Sequence, residues 1–289
     1  RKLSRENLRE YTTEQFVVGN GAKRAVSNVL QSVVGEGDEV IIPAPYWVSY
    51  PDMVRLTNGT RVFVEAKNEQ NLKNTPAQLE AAITHRTRAL ILCSPSNPTG
   101  SVYSAEEMEG LAEVLRRHPQ VLVIADEIYE HINYVGQHAS IATCAGMKDR
   151  VAVINGVSKA YAMTGWRIGF VAAPLEPAKA VSKLQGQYTS CAGSIAQKAS
   201  VAAVNGPQEA VEEMRKAFER RKNLIVQLAR EIPGFEVNDP EGAFYLFPKC
   251  SAYFGKSDGE TTIHTSTDFA LYLLNTAHVA CMGGDSFGS

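Results

Sequence analysis

From Phe16 to Ala173, short apolar, β-branched runs alternate with longer segments in which apolar side chains recur every three or four residues. That alternation predicts βαβ units and a mainly parallel sheet. Strands are expected at Glu39–Ile42, Thr60–Glu65, Ala89–Cys93, Val121–Ala125, Val151–Ile154 and Ile168–Ala172, with a further strand-like run at Phe16–Val18. Their near-continuous apolar character suits strands covered on both faces. Ser104 to Glu107 reads as a capping box, and Met108, Leu111, Ala112 and Leu115 follow at helical spacing. After Gly206-Pro207 the pattern changes. Glu209 to Glu231 reads as one long charged helix with Val211, Met214, Phe218, Ile225 and Leu228 on one stripe. Beyond it, a strand pair is expected at Phe235–Val237 and Ala243–Phe247, then a helix over Thr267–Asn275 and a last strand over Val279–Met282. The expected fold class is α/β, with a large domain over residues 1–206 and a smaller α+β domain over 207–289.

Composition narrows the function classes. Of 289 residues, 29 are Lys or Arg and 31 are Asp or Glu, so the net charge is -2. That balance offers no electrostatic case for nucleic acid or an anionic membrane. The purely apolar stretches, such as Val121 to Ala125, are too short to span a bilayer. The five cysteines are scattered without C-x-x-C spacing and suit reduced thiols in an intracellular protein. The six histidines show no H-x-x-x-H, so no metal site is expected. Arg1 to Glu10 is charged, with no signal-peptide core, and the chain reads as an interior or processed piece of a longer one.

In open parallel sheets a ligand lies beyond the carboxyl ends of the strands. The strand ending at Cys93 runs into Ser94-Pro95-Ser96-Asn97-Pro98-Thr99-Gly100, a rigid turn that leaves Asn97 unexplained. The next strand ends in Asp126-Glu127-Ile128-Tyr129, where the carboxylate is either a helix cap or an active-site acid. Val151–Ile154 leads to Ser158-Lys159 and then to Gly165-Trp166-Arg167. Most lysines are solvated, yet this one sits among glycines with an arginine close behind. Gly19-Asn20-Gly21-Ala22-Lys23 opens a helix and is either a tight turn or an anion cradle. Trp47, beside Pro45 and ahead of Pro51, is either a core aromatic or a stacking face for a ligand. Together these ends supply an amine, a carboxylate, an amide, a phenol, a guanidinium and a phosphate cradle. A lysine forms a Schiff base with an aldehyde, a carboxylate keeps a pyridine nitrogen protonated, and a guanidinium forks onto a phosphate. The set points to pyridoxal phosphate.

The motifs S-P-S-N-P-T-G, D-E-I-Y-E-H, S-K-A-Y-A-M-T-G-W-R-I-G, A-P-Y-W-V-S-Y-P and G-A-F-Y resemble those of class I aminotransferases of the aspartate aminotransferase fold, a fold type I pyridoxal-phosphate architecture. More narrowly, they resemble the plant and bacterial aspartate/prephenate subgroup. The resemblance implies that Lys159 holds the cofactor and shuttles a proton, that Asp126 pairs with the ring nitrogen, and that Tyr129 and Asn97 bond the ring oxygen. It implies that Trp47 stacks on the ring, and that Arg167 with the backbone of Gly21, Ala22 and Lys23 holds the phosphate. Trp47, Asn97 and Lys23 would also meet substrate, the Lys23 side chain through a distal carboxylate. The implied reaction is ping-pong transfer of an amino group between aspartate or glutamate and a 2-oxo acid, with prephenate as a second acceptor. A homodimer in the cytoplasm or a plastid is implied as well.

Two departures from the family pattern stand out. A substrate-covering loop would precede Arg1, and a carboxylate-clamping arginine would follow Gly284-Asp285-Ser286-Phe287-Gly288. The expectation is that the chain attaches cofactor but holds substrate poorly. Three rival readings follow: an aromatic or kynurenine-type aminotransferase, a lyase on the same scaffold, and a cofactor-binding fragment without turnover. A dinucleotide-binding oxidoreductase is disfavoured, because Arg24 stands where G-x-G-x-x-G needs glycine.

Overall fold

The computed structural model describes Lys2 and residues 11–288. The rest of the charged segment Arg1 to Glu10, and Ser289, lie outside the described residues. Seven strands form one sheet: β1 (Phe16–Gly19), β2 (Glu39–Ala44), β3 (Thr60–Glu65), β4 (Thr87–Cys93), β5 (Leu122–Asp126), β6 (Val151–Gly156) and β7 (Gly169–Ala172). Their order is β1-β7-β6-β5-β4-β2-β3. All pairs are parallel except those of β7, which runs antiparallel to both β1 and β6. The mainly parallel sheet read from the sequence is therefore present, with boundaries moved by at most two residues.

The strands read as continuous apolar runs because each face has its own core. Leu90, Leu92, Val123, Ala125, Val151 and Val153 face one layer, with helices α3 (Pro76–Ala82) and α4 (Ala105–Arg117). Their neighbours Ala89, Ile91, Ile124, Ala152 and Ile154 face the other, with α1 (Ala22–Val33), α2 (Tyr50–Arg55) and α5 (Leu175–Tyr188). This is the period-two alternation of a pleated strand, apolar on both sides. The expected capping box starts α4: Ser104 Oγ accepts from the Glu107 amide at 3.1 Å, and Glu107 Oε2 accepts from the Ser104 amide at 2.7 Å.

Helix α6 (Ser194–Asn205) stops at Gly206-Pro207, and α7 (Glu209–Arg230) follows as expected. Its apolar stripe holds only in part. Met214 and Phe218 pack on Ile128, Tyr129 and Ala243, whereas Ile225 and Leu228 are about half exposed and Val226 and Ala229 are buried instead. The first half of α7 lies on that cluster and the second half runs past it, so burial there follows a different face. Beyond α7 the expected strands are absent. Phe235–Val237 and Ala243–Phe247 yield only an isolated bridge, Glu236 to Lys249, and Val279–Met282 is irregular. A short apolar run becomes a strand only with a ladder partner, and none lies beside these. The helix expected over Thr267–Asn275 is present as α8 (Ser266–Tyr272), continued by a π-turn over Leu273–Ala277.

Candidate active site

Every site residue picked from the sequence lies at one edge of the sheet. Gly21, Trp47, Asn97, Asp126, Tyr129 and Lys159 follow the carboxyl ends of β1, β2, β4, β5 and β6, with Asp126 itself the last residue of β5. Arg167 precedes its strand. Because β7 runs antiparallel, the start of β7 lies at the edge where the other strands end, opposite Gly156.

Asp126 is buried, and its carboxylate is held from two sides. Tyr50 donates its hydroxyl proton to Oδ2 at 2.7 Å, and the Ile128 amide donates to Oδ1 at 3.3 Å. Burial raises the carboxyl above the ordinary aspartate range, while the two bonds partly oppose that rise. Such an acid favours a cationic partner that would restore its charge. Burial also pushes the neighbouring Cys93 thiol up to about 12, so it stays neutral and donates to the Pro95 carbonyl at 3.4 Å.

The amine of Lys159 lies 5.4 Å from the ring centres of both Tyr129 and Phe244. Burial lowers its pKa below the ordinary lysine value, the Asp126 charge raises it, and Arg167 adds to the lowering. A lowered ammonium pKa increases the share of neutral amine, the nucleophilic form. Phe244 in turn stacks on Phe218 of α7, with ring centres 5.0 Å apart.

At the start of α1 a cradle forms. Gly21 has φ 96°, and a Cβ there would stand 2.1 Å from Arg167 Nη2, so only glycine lets the guanidinium approach. Gly169 is equally constrained, since its Cβ would stand 2.2 Å from the Ala22 nitrogen. Arg167 has a left-handed backbone (φ 54°) and donates from Nη1 to the Thr164 carbonyl at 2.8 Å. The Gly21 amide is engaged with the Gly19 carbonyl at 2.9 Å, so Gly21 contributes space rather than a donor. The amides of Ala22 and Lys23, in the first turn of the helix, have no intrahelical acceptor and suit an anion. The Lys23 ammonium lies 4.9 Å from the Trp47 ring centre, and Trp47 meets Tyr50 edge-on at 5.3 Å.

Two residues escaped the sequence reading. Tyr50, three positions after Trp47, fixes Asp126. Tyr245, in the G-A-F-Y motif, bonds Tyr129 through their hydroxyls and accepts from Asn97 Nδ2 at 3.3 Å. Both sit in motifs visible in the sequence, but their partners are 76, 116 and 148 residues away and only folding pairs them. The segment carrying Tyr245 is pinned by backbone bonds from Gly242 to Gly100 (2.8 Å) and from Ala243 to Ile132 (2.7 Å).

This donor set fits pyridoxal phosphate: an amine for its aldehyde, a buried acid for its ring nitrogen, and a guanidinium over a glycine gap for its phosphate. No group of three or more metal-ligating side chains occurs among the described residues. Nor is any described helix long and apolar enough to cross a membrane.

Comparison with known proteins bears on the same chemistry. The family described as aminotransferase class I and II matches residues 1–289. The chain is 47% identical to the bifunctional aspartate aminotransferase and glutamate/aspartate-prephenate aminotransferase of Petunia hybrida, over 99% of this chain and 61% of that protein. It is 49% identical to the aspartate/prephenate aminotransferase of Cereibacter sphaeroides, over 99% of this chain and 72% of that one. The crystal structure of the aspartate aminotransferase from Rhizobium meliloti superposes with a TM-score of 0.96 at 45% identity, covering all of this chain and 73% of that one. The chain thus spans from under two thirds to about three quarters of these relatives' lengths.

Proposed function

The chain belongs to the class I and II aminotransferases, and we propose that it moves an amino group between aspartate or glutamate and a 2-oxo acid, prephenate included, with pyridoxal phosphate as cofactor. The observation that supports this best is the convergence of Lys159, Asp126 and the Arg167–Gly21 cradle at one sheet edge. When bound, the cofactor supplies an electron-withdrawing ring that accepts the electron pair left at the substrate Cα.

The rest falls to this chain's own residues. Lys159 Nζ would hold the cofactor at its aldehyde carbon, and the same amine would carry the proton at the substrate Cα. Its lowered pKa keeps it fit for both tasks. Asp126, anchored by Tyr50, holds the proton on the ring nitrogen. Tyr129 and Asn97 donate to the ring oxygen, and Trp47 covers one face of the ring. Arg167 and the amides of Ala22 and Lys23 hold the phosphate. The Lys23 side chain, already over Trp47, meets the distal carboxylate of a dicarboxylic substrate. The split into residues 1–206 and 207–289, and assembly as a homodimer, belong to the same reading.

The test is an absorbance titration with pyridoxal phosphate, followed by aspartate. The expected result is a visible band that borohydride fixes onto Lys159 and that aspartate then bleaches. A folded chain that develops no band would overturn the assignment of Lys159. A band indifferent to every amino acid tried would overturn the transaminase reading.

A further inference from the structure

We propose that Tyr245 is a positioning residue for the cofactor's ring oxygen: bonded to both Tyr129 and Asn97, its hydroxyl directs their remaining donors to one anionic oxygen. The inference rests on the cofactor reading above and assigns a role to a side chain which that reading leaves idle.

Counting protons carries the argument. Asn97 Nδ2 donates to the Tyr245 oxygen at 3.3 Å. The Tyr245 proton then has a single acceptor among the described residues, the Tyr129 oxygen. Were that bond reversed, the Tyr245 proton would be left without a partner in a half-buried site, which is costly. With Tyr245 donating, Tyr129 keeps its own proton and Asn97 keeps the second of its amide protons. Two unengaged donors on neighbouring groups suit one charged acceptor, because hydrogen bonds to an ionised oxygen are about twice as strong as neutral ones. The Lys159 amine lies 5.4 Å from the Tyr129 ring centre, so the donors sit beside the anchor of the cofactor. Burial raises both phenols above the ordinary tyrosine value and keeps them protonated. The backbone bonds of Gly242 and Ala243 hold Tyr245 against this pair from the far side of the sequence.

Donors that stabilise the charge on the ring oxygen weaken its hold on the proton shared with the lysine nitrogen, so the readout is the pH at which the visible band of the bound cofactor changes. In Tyr245→Phe that midpoint should rise by about 0.5–1 pH unit, and cofactor affinity should fall about three- to tenfold. The ring is retained, so the thermal midpoint of the cofactor-free variant should stay close to the parent's. In a Tyr129→Phe background, adding Tyr245→Phe should produce less than half of its shift in the parent. With 3-O-methylpyridoxal phosphate, whose ring oxygen cannot carry charge, parent and variant should titrate alike. An unchanged midpoint in Tyr245→Phe, or a full shift in the Tyr129→Phe background, would overturn the proposal. A parent chain without any band would instead sink the cofactor reading, and this inference with it.

Discussion

Residues 11–205 and residues 206–288 bury their apolar side chains in different ways. In the first region each sheet face has its own layer, and side chains such as Leu30, Ile91 and Ile124 are fully enclosed. In the second, no strand forms among the described residues, and the 22 residues of α7 bury only Val211, Val226 and Ala229. Leu224, Ile225 and Leu228 stand about half exposed, as do Leu271, Leu274, Val279 and Met282. The difference teaches where rigidity comes from. The groups proposed to hold the cofactor stand on strand ends that two cores support. The second region reaches the site through residues 242–245, pinned by backbone bonds to Gly100 and Ile132, and through Met214 and Phe218 of α7, which pack on Tyr129.

The sharpest test of that contrast is a cavity in the first region. Ile124→Ala should lower the unfolding free energy by about 2–5 kcal/mol, read from the denaturant midpoint. A loss below about 1 kcal/mol would mean that the sheet collapses around the gap and is not rigid. Next in size is Gly21→Ala, which combines a positive φ with a Cβ 2.1 Å from Arg167 Nη2. It should cost about 1–3 kcal/mol and weaken binding of pyridoxal phosphate at least tenfold by equilibrium titration. Unchanged binding would show that Arg167 does not need that gap.

Asp126→Asn probes the electrostatics of the same edge. Burial makes the folded chain hold the Asp126 proton more tightly than the unfolded chain does. That preference costs nothing while both states are protonated. The cost grows as the pH rises above the unfolded value and through the folded one. In the cofactor-free chain the variant should therefore gain stability over the parent as the pH rises above the ordinary aspartate range, and the gain should level off once the folded carboxyl ionises, amounting to about 1.4 kcal/mol for each unit of the rise. A pH-independent difference in thermal midpoint would refute this. The smallest effect belongs to the second region: Leu228→Ser, on a half-exposed face, should change stability by less than about 0.5 kcal/mol. A loss comparable to that of Ile124→Ala would break the comparison.

The same contrast explains what could be read from the sequence. The parallel strands were legible because burial on both faces leaves long apolar runs, and the strand-end rule then singled out Asn97, Asp126 and Lys159. Arg167 was legible as a residue but not as a position, since nothing local in Ile168–Ala172 says that its strand runs the other way. The region after α7 misled, because runs such as Val279–Met282 look like strands wherever they stand. Tyr50 and Tyr245 were invisible as partners: a hydroxyl aimed across more than seventy residues leaves no periodic trace.

The reversed β7 has a mechanical consequence. Lys159 and Arg167 ride on one connection between neighbouring antiparallel strands, closed where Gly156 faces Gly169. The chain itself therefore acts as a caliper between the amine and the guanidinium. Asp126 ends β5 and Asn97 lies in the turn after β4, and a flexing sheet moves them relative to that caliper. Breathing of the sheet thus leaves that amine and guanidinium in step and shifts instead the Asp126 carboxyl and the Asn97 amide.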